Sequence, residues 1–201
     1  MTKDSLLVVT GGNRGIGRQI ALSAVDAGWR VAISFGRNRK LADEMVAGSN
    51  GKIRAFALDV ANPESVTKFF AGIEAEMGLP RALVTAAGID KGPRSLAEID
   101  HDFVHSTMTV NVVGLILCCQ EFTARAIKEG EGGVVVNISS MAATIGGRTH
   151  KTVYAASKGA VDVFTIGAAK ELAPYGISMF SVRPGVTRTD MTGDALADPA
   201  T

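Results

Sequence analysis

The sequence has almost no cysteine, no dominant charge and no apolar run long enough to cross a bilayer, and each gap narrows what the chain can be. Its two cysteines, Cys118 and Cys119, are adjacent inside the apolar run VVGLILCCQ. Neighbouring cysteines build no disulfide framework and have no zinc-ligand spacing, so buried thiols in a reducing, cytoplasmic compartment are expected. Lysine and arginine number 21 against 20 aspartate and glutamate, a formal net charge of +1 with no long run of either sign. That balance argues against a nucleic-acid partner, a polybasic membrane anchor or an acidic tail, and leaves small-molecule work. The longest apolar stretch, around residues 112–119, falls well short of the about 20 residues a spanning helix needs, so no membrane partner is expected. The opening MTKDSLLVVTGG enters a strand-like run directly, with no apolar core or cleavage site of a secretory signal. Repeats, low-complexity tracts and linker-like composition shifts are also missing. With 201 residues, 46% of them hydrophobic, one domain over 1–201 is expected.

What the sequence does contain is an alternation. Short β-branched runs at 5–10, 30–35, 52–58, 82–87, 133–139 and 176–182 read as six strands. Helical patterns lie between them at about 15–28, 38–48, 63–77, 100–129 and 152–174, the third opened by Asn62 as cap and Pro63 at the first helical position. Near-continuous apolar strands separated by helices predict a parallel sheet covered on both faces, a doubly wound α/β fold of Rossmann type. Such a sheet binds ligands beyond the carboxyl ends of its strands, where strand order reverses.

The first strand runs into TGGNRGIG, Thr10 to Gly17. Gly11, Gly15 and Gly17 permit a tight turn, a close backbone approach to a pyrophosphate and a helix packed hard on the sheet, so Gly11, Asn13, Arg14, Gly15, Ile16 and Gly17 are candidate dinucleotide contacts. At the end of the second strand, where a carboxylate would bind the ribose hydroxyls of NAD, the sequence reads SFGRNRK. Arg37, with Arg14 reaching over from the glycine loop, suits a 2′-phosphate, so NADP(H) is expected in preference to NAD(H). Basic residues at a helix start oppose its dipole, which favours a role over plain solvation. His101 and His105, flanked by Asp100 and Asp102, have no third ligand, so no metal site is expected. His150 either touches substrate or lies on the loop surface.

Tyr154 and Lys158 in YAASK lie one helical turn apart and share a face. With TGGNRGIG, LDV, TVNVVG, NISS and RPGVTRTDM in the same order, the whole chain resembles the short-chain dehydrogenase/reductase family, in texture its 3-oxoacyl-thioester reductases and sugar or polyol dehydrogenases. The resemblance implies that Tyr154 exchanges a proton with the substrate oxygen while Lys158 lowers its pKa and holds the nicotinamide ribose. It implies that Ser140, rather than Ser139, orients the carbonyl, and that Asn111 helps hold a water relay to Lys158. It places Asp59 and Val60 at the adenine, Ala87 and Gly88 behind the adenosine ribose, and Pro184, Gly185, Val186 and Thr187 at the nicotinamide amide. Asp59 read alone also fits a plain turn, and Asn111 a satisfied buried amide.

Two departures from the family pattern stand out. TAAG replaces NNAG, so Thr85 and Ala86 stand where asparagines would brace the neighbouring strand and helix, and those bonds are expected to be lost or altered. Family members continue past TDM through a lid, a helix and a last strand, whereas this sequence ends at Thr201. The expectation is a sheet lacking its last helix and strand, with the sixth strand as an open apolar edge, and a chain that binds cofactor but turns over poorly. The leading expected function is an NADP(H)-dependent oxidoreductase, a homodimer or homotetramer, interconverting a small-molecule ketone and a secondary alcohol. The alternative is a non-catalytic dinucleotide-binding subunit or sensor whose partner completes the sheet.

Overall fold

The computed structural model describes residues 5–192. Six strands, β1 (Leu6–Thr10), β2 (Arg30–Phe35), β3 (Ile53–Ala57), β4 (Ala82–Thr85), β5 (Gly133–Ile138) and β6 (Ile177–Val182), form one parallel sheet in the order β3-β2-β1-β4-β5-β6. The helices between them are α1 (Gly15–Asp26), α2 (Arg39–Ala47), α3 (Pro63–Met77), α4 (His101–Met108), α5 (Gly114–Lys128), α6 (Ala142–Ile145) and α7 (Thr152–Leu172). The expected Rossmann-like doubly wound α/β sheet is therefore present.

Successive side chains of β1 point to opposite faces, which is why a fully apolar strand can serve two cores at once. Leu6 and Val8 join Phe70 and Ile73 of α3, Phe122 of α5 and Val161 of α7 on one side. Leu7 and Val9 join Ala21 of α1 and Ala42 and Met45 of α2 on the other. At the start of α3 the Asn62 side chain accepts from the Ser65 N–H at 3.1 Å and Pro63 takes the first turn, as their order in the sequence predicts.

The long helix expected over 100–129 is interrupted. Between α4 and α5 the residues Thr109–Val113 form a π turn, and Asn111 sits in it. One inserted residue of this kind re-aims the side chains that follow, and π turns concentrate at functional sites. The stretch His101–Lys128 is long and apolar enough to cross a bilayer, but Leu115, Cys118, Cys119, Phe122 and Ala126 use its apolar face to fill the core. Among the described residues, β6 pairs with β5 alone.

Candidate active site

The strand order reverses between β1 and β4, and the crevice at their carboxyl ends receives most of the candidate residues. Leaving β1, the chain turns at Gly11 with φ of 64°, a conformation that disfavours any side chain, and a Cβ there would lie 2.9 Å from Ala87 Cα. Gly17 packs so closely that a Cβ would meet the Gly11 carbonyl oxygen at 2.5 Å. The loop is pinned from outside: Ser34 Oγ of β2 accepts from the Gly11 N–H at 2.8 Å, and buried Asn13 donates Nδ2 to the Asn38 carbonyl at 3.1 Å. The second bond joins the glycine loop to the turn carrying Arg37. Sequence reasoning passed over Ser34 and Asn38; their only signal was position beside the loop.

The N-terminus of α1 has neither a capping side chain nor an acid in its first turn, so its N–H groups are left for an anion. Arg14 and Arg37 are exposed, and among the described residues neither forms an ion pair, whereas Arg39 pairs with Asp43 at 3.4 Å. The loop thus has the shape and charge to hold a pyrophosphate, with two cations nearby. A Cβ on Gly15 would lie 3.3 Å from Thr189 Cγ2, so the segment after β6 folds back over the same loop. Within that segment the Pro184 carbonyl accepts from the Met141 N–H at 3.0 Å. Gly185, Val186 and Thr187 follow it, the last bonding back to the Gly185 carbonyl at 3.2 Å.

Beyond the end of β5, Ser140, Tyr154 and Lys158 converge. Ser139 and Ser140 separate cleanly: Ser139 is buried and donates to the Lys158 carbonyl at 3.2 Å, while the Ser140 hydroxyl faces Tyr154. Lys158 is buried with Nζ 5.9 Å from the Tyr154 ring centroid, donating to the Ile138 carbonyl at 2.8 Å. Asn111 clamps the loop after β4, accepting from the Ile89 N–H at 2.8 Å and donating to the Ile89 carbonyl at 2.9 Å and to Ser157 Oγ at 3.1 Å. A Cβ on Gly88 would lie 3.2 Å from Asn111 Oδ1 and 3.8 Å from Lys158 Nζ, so the three residues form one wall. The Ala87 N–H donates to Thr10 Oγ1 at 3.2 Å.

The electrostatics reverse one expectation. Burial raises the Tyr154 phenol above its ordinary value, and the opposing pull of Ser140 does not cancel it. Burial also depresses the Lys158 ammonium to about 8 despite the carboxylate of Asp162 one turn on. Removing both groups from water penalises their charged forms, and what lowering the phenol does feel comes from Ser140 rather than from the adjacent ammonium.

The remaining candidates are dispersed. Asp59 is exposed and accepts from the Ala61 N–H at 3.0 Å, a turn bond that occupies one of its oxygens, beside buried Val60. His101 and His105 stack with centroids 5.5 Å apart on the exposed face of α4. The brace expected to suffer from TAAG is rebuilt: Thr85 donates to Asn137 Oδ1 at 2.7 Å and Asn137 donates to Thr165 Oγ1 at 2.9 Å, all three buried.

Comparison with known proteins shows the family and the fold. The family described as short chain dehydrogenase matches residues 5–200. An Escherichia coli K12 protein named uncharacterized oxidoreductase YgfF is 35% identical over 192 residues, 93% of this chain and 78% of its own length. A human 3-oxoacyl-[acyl-carrier-protein] reductase is 35% identical over 191 residues, 95% of this chain and 79% of its own. The crystal structure of gox2181 superposes with a TM-score of 0.90 at 27% identity, over 95% of this chain and 75% of that one.

Proposed function

The chain belongs to the short-chain dehydrogenase family, oxidoreductases that act on CH–OH groups with a nicotinamide dinucleotide, and we propose that within it this protein is an NADP(H)-preferring ketone reductase. The observation that carries the proposal is the convergence of Ser140, Tyr154 and Lys158 at the crevice that also holds the glycine loop.

The bound cofactor supplies the hydride; the chain's own residues do the rest. Gly11 to Gly17 and the free end of α1 hold the pyrophosphate, with Asn13 fixing the loop. Arg37 and Arg14 meet the 2′-phosphate, two guanidiniums against a dianion. Asp59 and Val60 would meet the adenine, Ala87 and Gly88 the adenosine ribose, and the Pro184 to Thr187 segment the nicotinamide amide. Ser140 donates to the substrate carbonyl and stabilises the charge that develops on oxygen. Tyr154 gives that oxygen its proton. A phenol held above its ordinary pKa is protonated at neutral pH, which suits reduction, where a donor is needed at the start. Lys158 then stabilises the phenolate and holds the nicotinamide ribose, while Asn111 keeps a water path to it open.

The names of the relatives support a 3-oxoacyl thioester as the first substrate to assay. Family members are commonly oligomeric, and exposed Val163 and Ile166 on α7, at 72% and 55%, support a homodimer or homotetramer built on that helix.

Two measurements test the proposal. Fluorescence titration with NADPH and NADH should give tighter NADPH binding that weakens with salt. Tyr154→Phe should lose about 10² to 10⁴ in turnover while keeping cofactor affinity. Equal binding of both cofactors would defeat the NADP preference, and an unchanged rate would defeat the tyrosine chemistry and favour a pure binding role.

A further inference from the structure

Beside Tyr154 lies a small cavity whose wall carries a salt bridge that the family signature does not contain. Lys151, the residue just before α7, donates from Nζ to both Asp90 oxygens at 2.7 Å, and the two side chains are only 21% and 18% exposed. The partners are 61 residues apart, one on the loop after β4 and one at the start of the catalytic helix. Asp90 is fixed from its own side as well, since the Gly92 N–H donates to Oδ1 at 3.1 Å. A backbone bond runs alongside, from the Arg94 N–H to the His150 carbonyl at 2.9 Å, with His150 held at a φ of 66°.

The charged or titratable groups of the cavity besides Tyr154 are Asp90, Lys91, His150 and Lys151; α4 contributes only Phe103 and Thr107. Lys91 is turned to α4, donating to Ser106 Oγ at 2.9 Å and lying 5.4 Å over the Phe103 ring. Arg94 is engaged in the same way, with Asp100 at 2.8 Å and the Phe103 ring at 5.0 Å. Lys151 is therefore the cation that compensates Asp90. On the other side of the phenol stand Ser140 from the end of β5 and Lys158 from α7 itself.

We propose that Asp90 and Lys151 are a charge-compensated positioning pair for Tyr154: Lys151 screens the phenol from the Asp90 carboxylate and so sets the pH at which Tyr154 exchanges its proton. The inference rests on the proposed role of Tyr154. An unscreened carboxylate beside a phenol disfavours the phenolate, because the two negative charges repel in a medium that water only partly screens. After burial, which dominates, and against Ser140, Asp90 already adds to the rise of the phenol. The pair also fixes the distance between the substrate-side loop and the first turn of α7, so one contact controls both the field and the width of the cavity.

The test needs no substrate. The chain has two tyrosines, and Tyr175 is 53% exposed. In a Tyr175→Phe background the ultraviolet absorbance of phenolate reports Tyr154 alone. Against that parent, Lys151→Met should move the titration midpoint up by about one pH unit, and Asp90→Asn should move it down. The double variant should return close to the parent, since the two charges act on each other. Midpoints that stay in place in both single variants, or move in the same direction, overturn the proposal. If Lys151→Met loses its far-ultraviolet circular dichroism, the near-isosteric Asp90→Asn decides alone: a downward move supports the pair and any other result overturns it. Failure of the catalytic reading shows up separately, as full turnover in Tyr154→Phe.

Discussion

Adding one methyl group at Gly17 should damage cofactor binding, whereas the same addition at Gly72 should do no harm. Both glycines are helical, Gly17 in the first turn of α1 and Gly72 within α3. At Gly17 a Cβ would sit 2.5 Å from the Gly11 carbonyl oxygen, 3.1 Å from its carbon and 3.2 Å from Gly12 Cα. All three are backbone atoms, so relief requires the glycine loop itself to move. At Gly72 the nearest atoms are Phe56 ring carbons at 3.8 Å, ordinary contact. Replacing glycine by alanine within a helix gains about 1 kcal/mol. For Gly72→Ala that gain stands. For Gly17→Ala the overlap opposes it, at the about 1–3 kcal/mol typical of overpacking, and the net is a loss. At roughly 2–4 °C per kcal/mol for a chain of this size, the melting temperature should fall by up to about 8 °C in Gly17→Ala and rise by about 2–4 °C in Gly72→Ala. The larger effect falls on binding. Displacing Gly11 moves the N–H groups meant for the pyrophosphate, and a loss of even about 1.4 kcal/mol is tenfold in Kd. Thermal melts with and without NADPH, paired with fluorescence titration, measure both effects. Gly17→Ala binding NADPH as tightly as the parent would refute the assignment of this loop to the cofactor.

Other outcomes follow from single contacts. Arg37→Ala should weaken NADPH about tenfold and leave NADH unchanged, because a charge-assisted bond to the 2′-phosphate contributes roughly 1.5–3 kcal/mol before exposure reduces it; parallel titrations decide. Thr85→Val should lower stability by about 1–3 kcal/mol by taking the hydroxyl from buried Asn137, while Thr85→Ser should keep it, as urea unfolding would register. Burial pushes the Cys118 thiol up to about 12, so its contribution to stability is complete below its ordinary value near 9 and is lost as pH rises toward 12. Buried Lys158, depressed to about 8, works the other way, its contribution growing from about pH 8 to its ordinary 10.5. Urea unfolding across pH 8 to 11 should therefore show a smaller alkaline loss of stability in Cys118→Ala than in the parent, because Cys119 and Tyr154, raised in the same way, still oppose Lys158. Identical slopes would contradict a buried, neutral thiol.

Much of this molecule is determined by short stretches of sequence. The strands fall within two residues of their expected ends because apolar β-branched runs, such as LLVVT and RVAISF, have one stable use, in a sheet covered on both faces. The glycine loop is only partly local: Gly17 is required by its contact with Gly11 and Gly12 in the same turn, whereas Gly11, besides its positive φ, is required by Ala86 and Ala87 at the end of β4. Tyr154 and Lys158 were legible as neighbours because one helical turn separates them, whereas Ser140 was legible only through the family resemblance. Tertiary structure decided the rest. Nothing in TVNVV distinguishes a π turn from the α-helix around it, and that turn is what places Asn111 on Ile89. The Thr85–Asn137–Thr165 chain and the Asp90–Lys151 pair join residues 28 to 61 positions apart, whose meeting depends on strand order and loop path. The direction of the Tyr154 and Lys158 shifts was set in the same way: a sequence names the charges near a group, but how much water it loses is known only when the chain has closed around it.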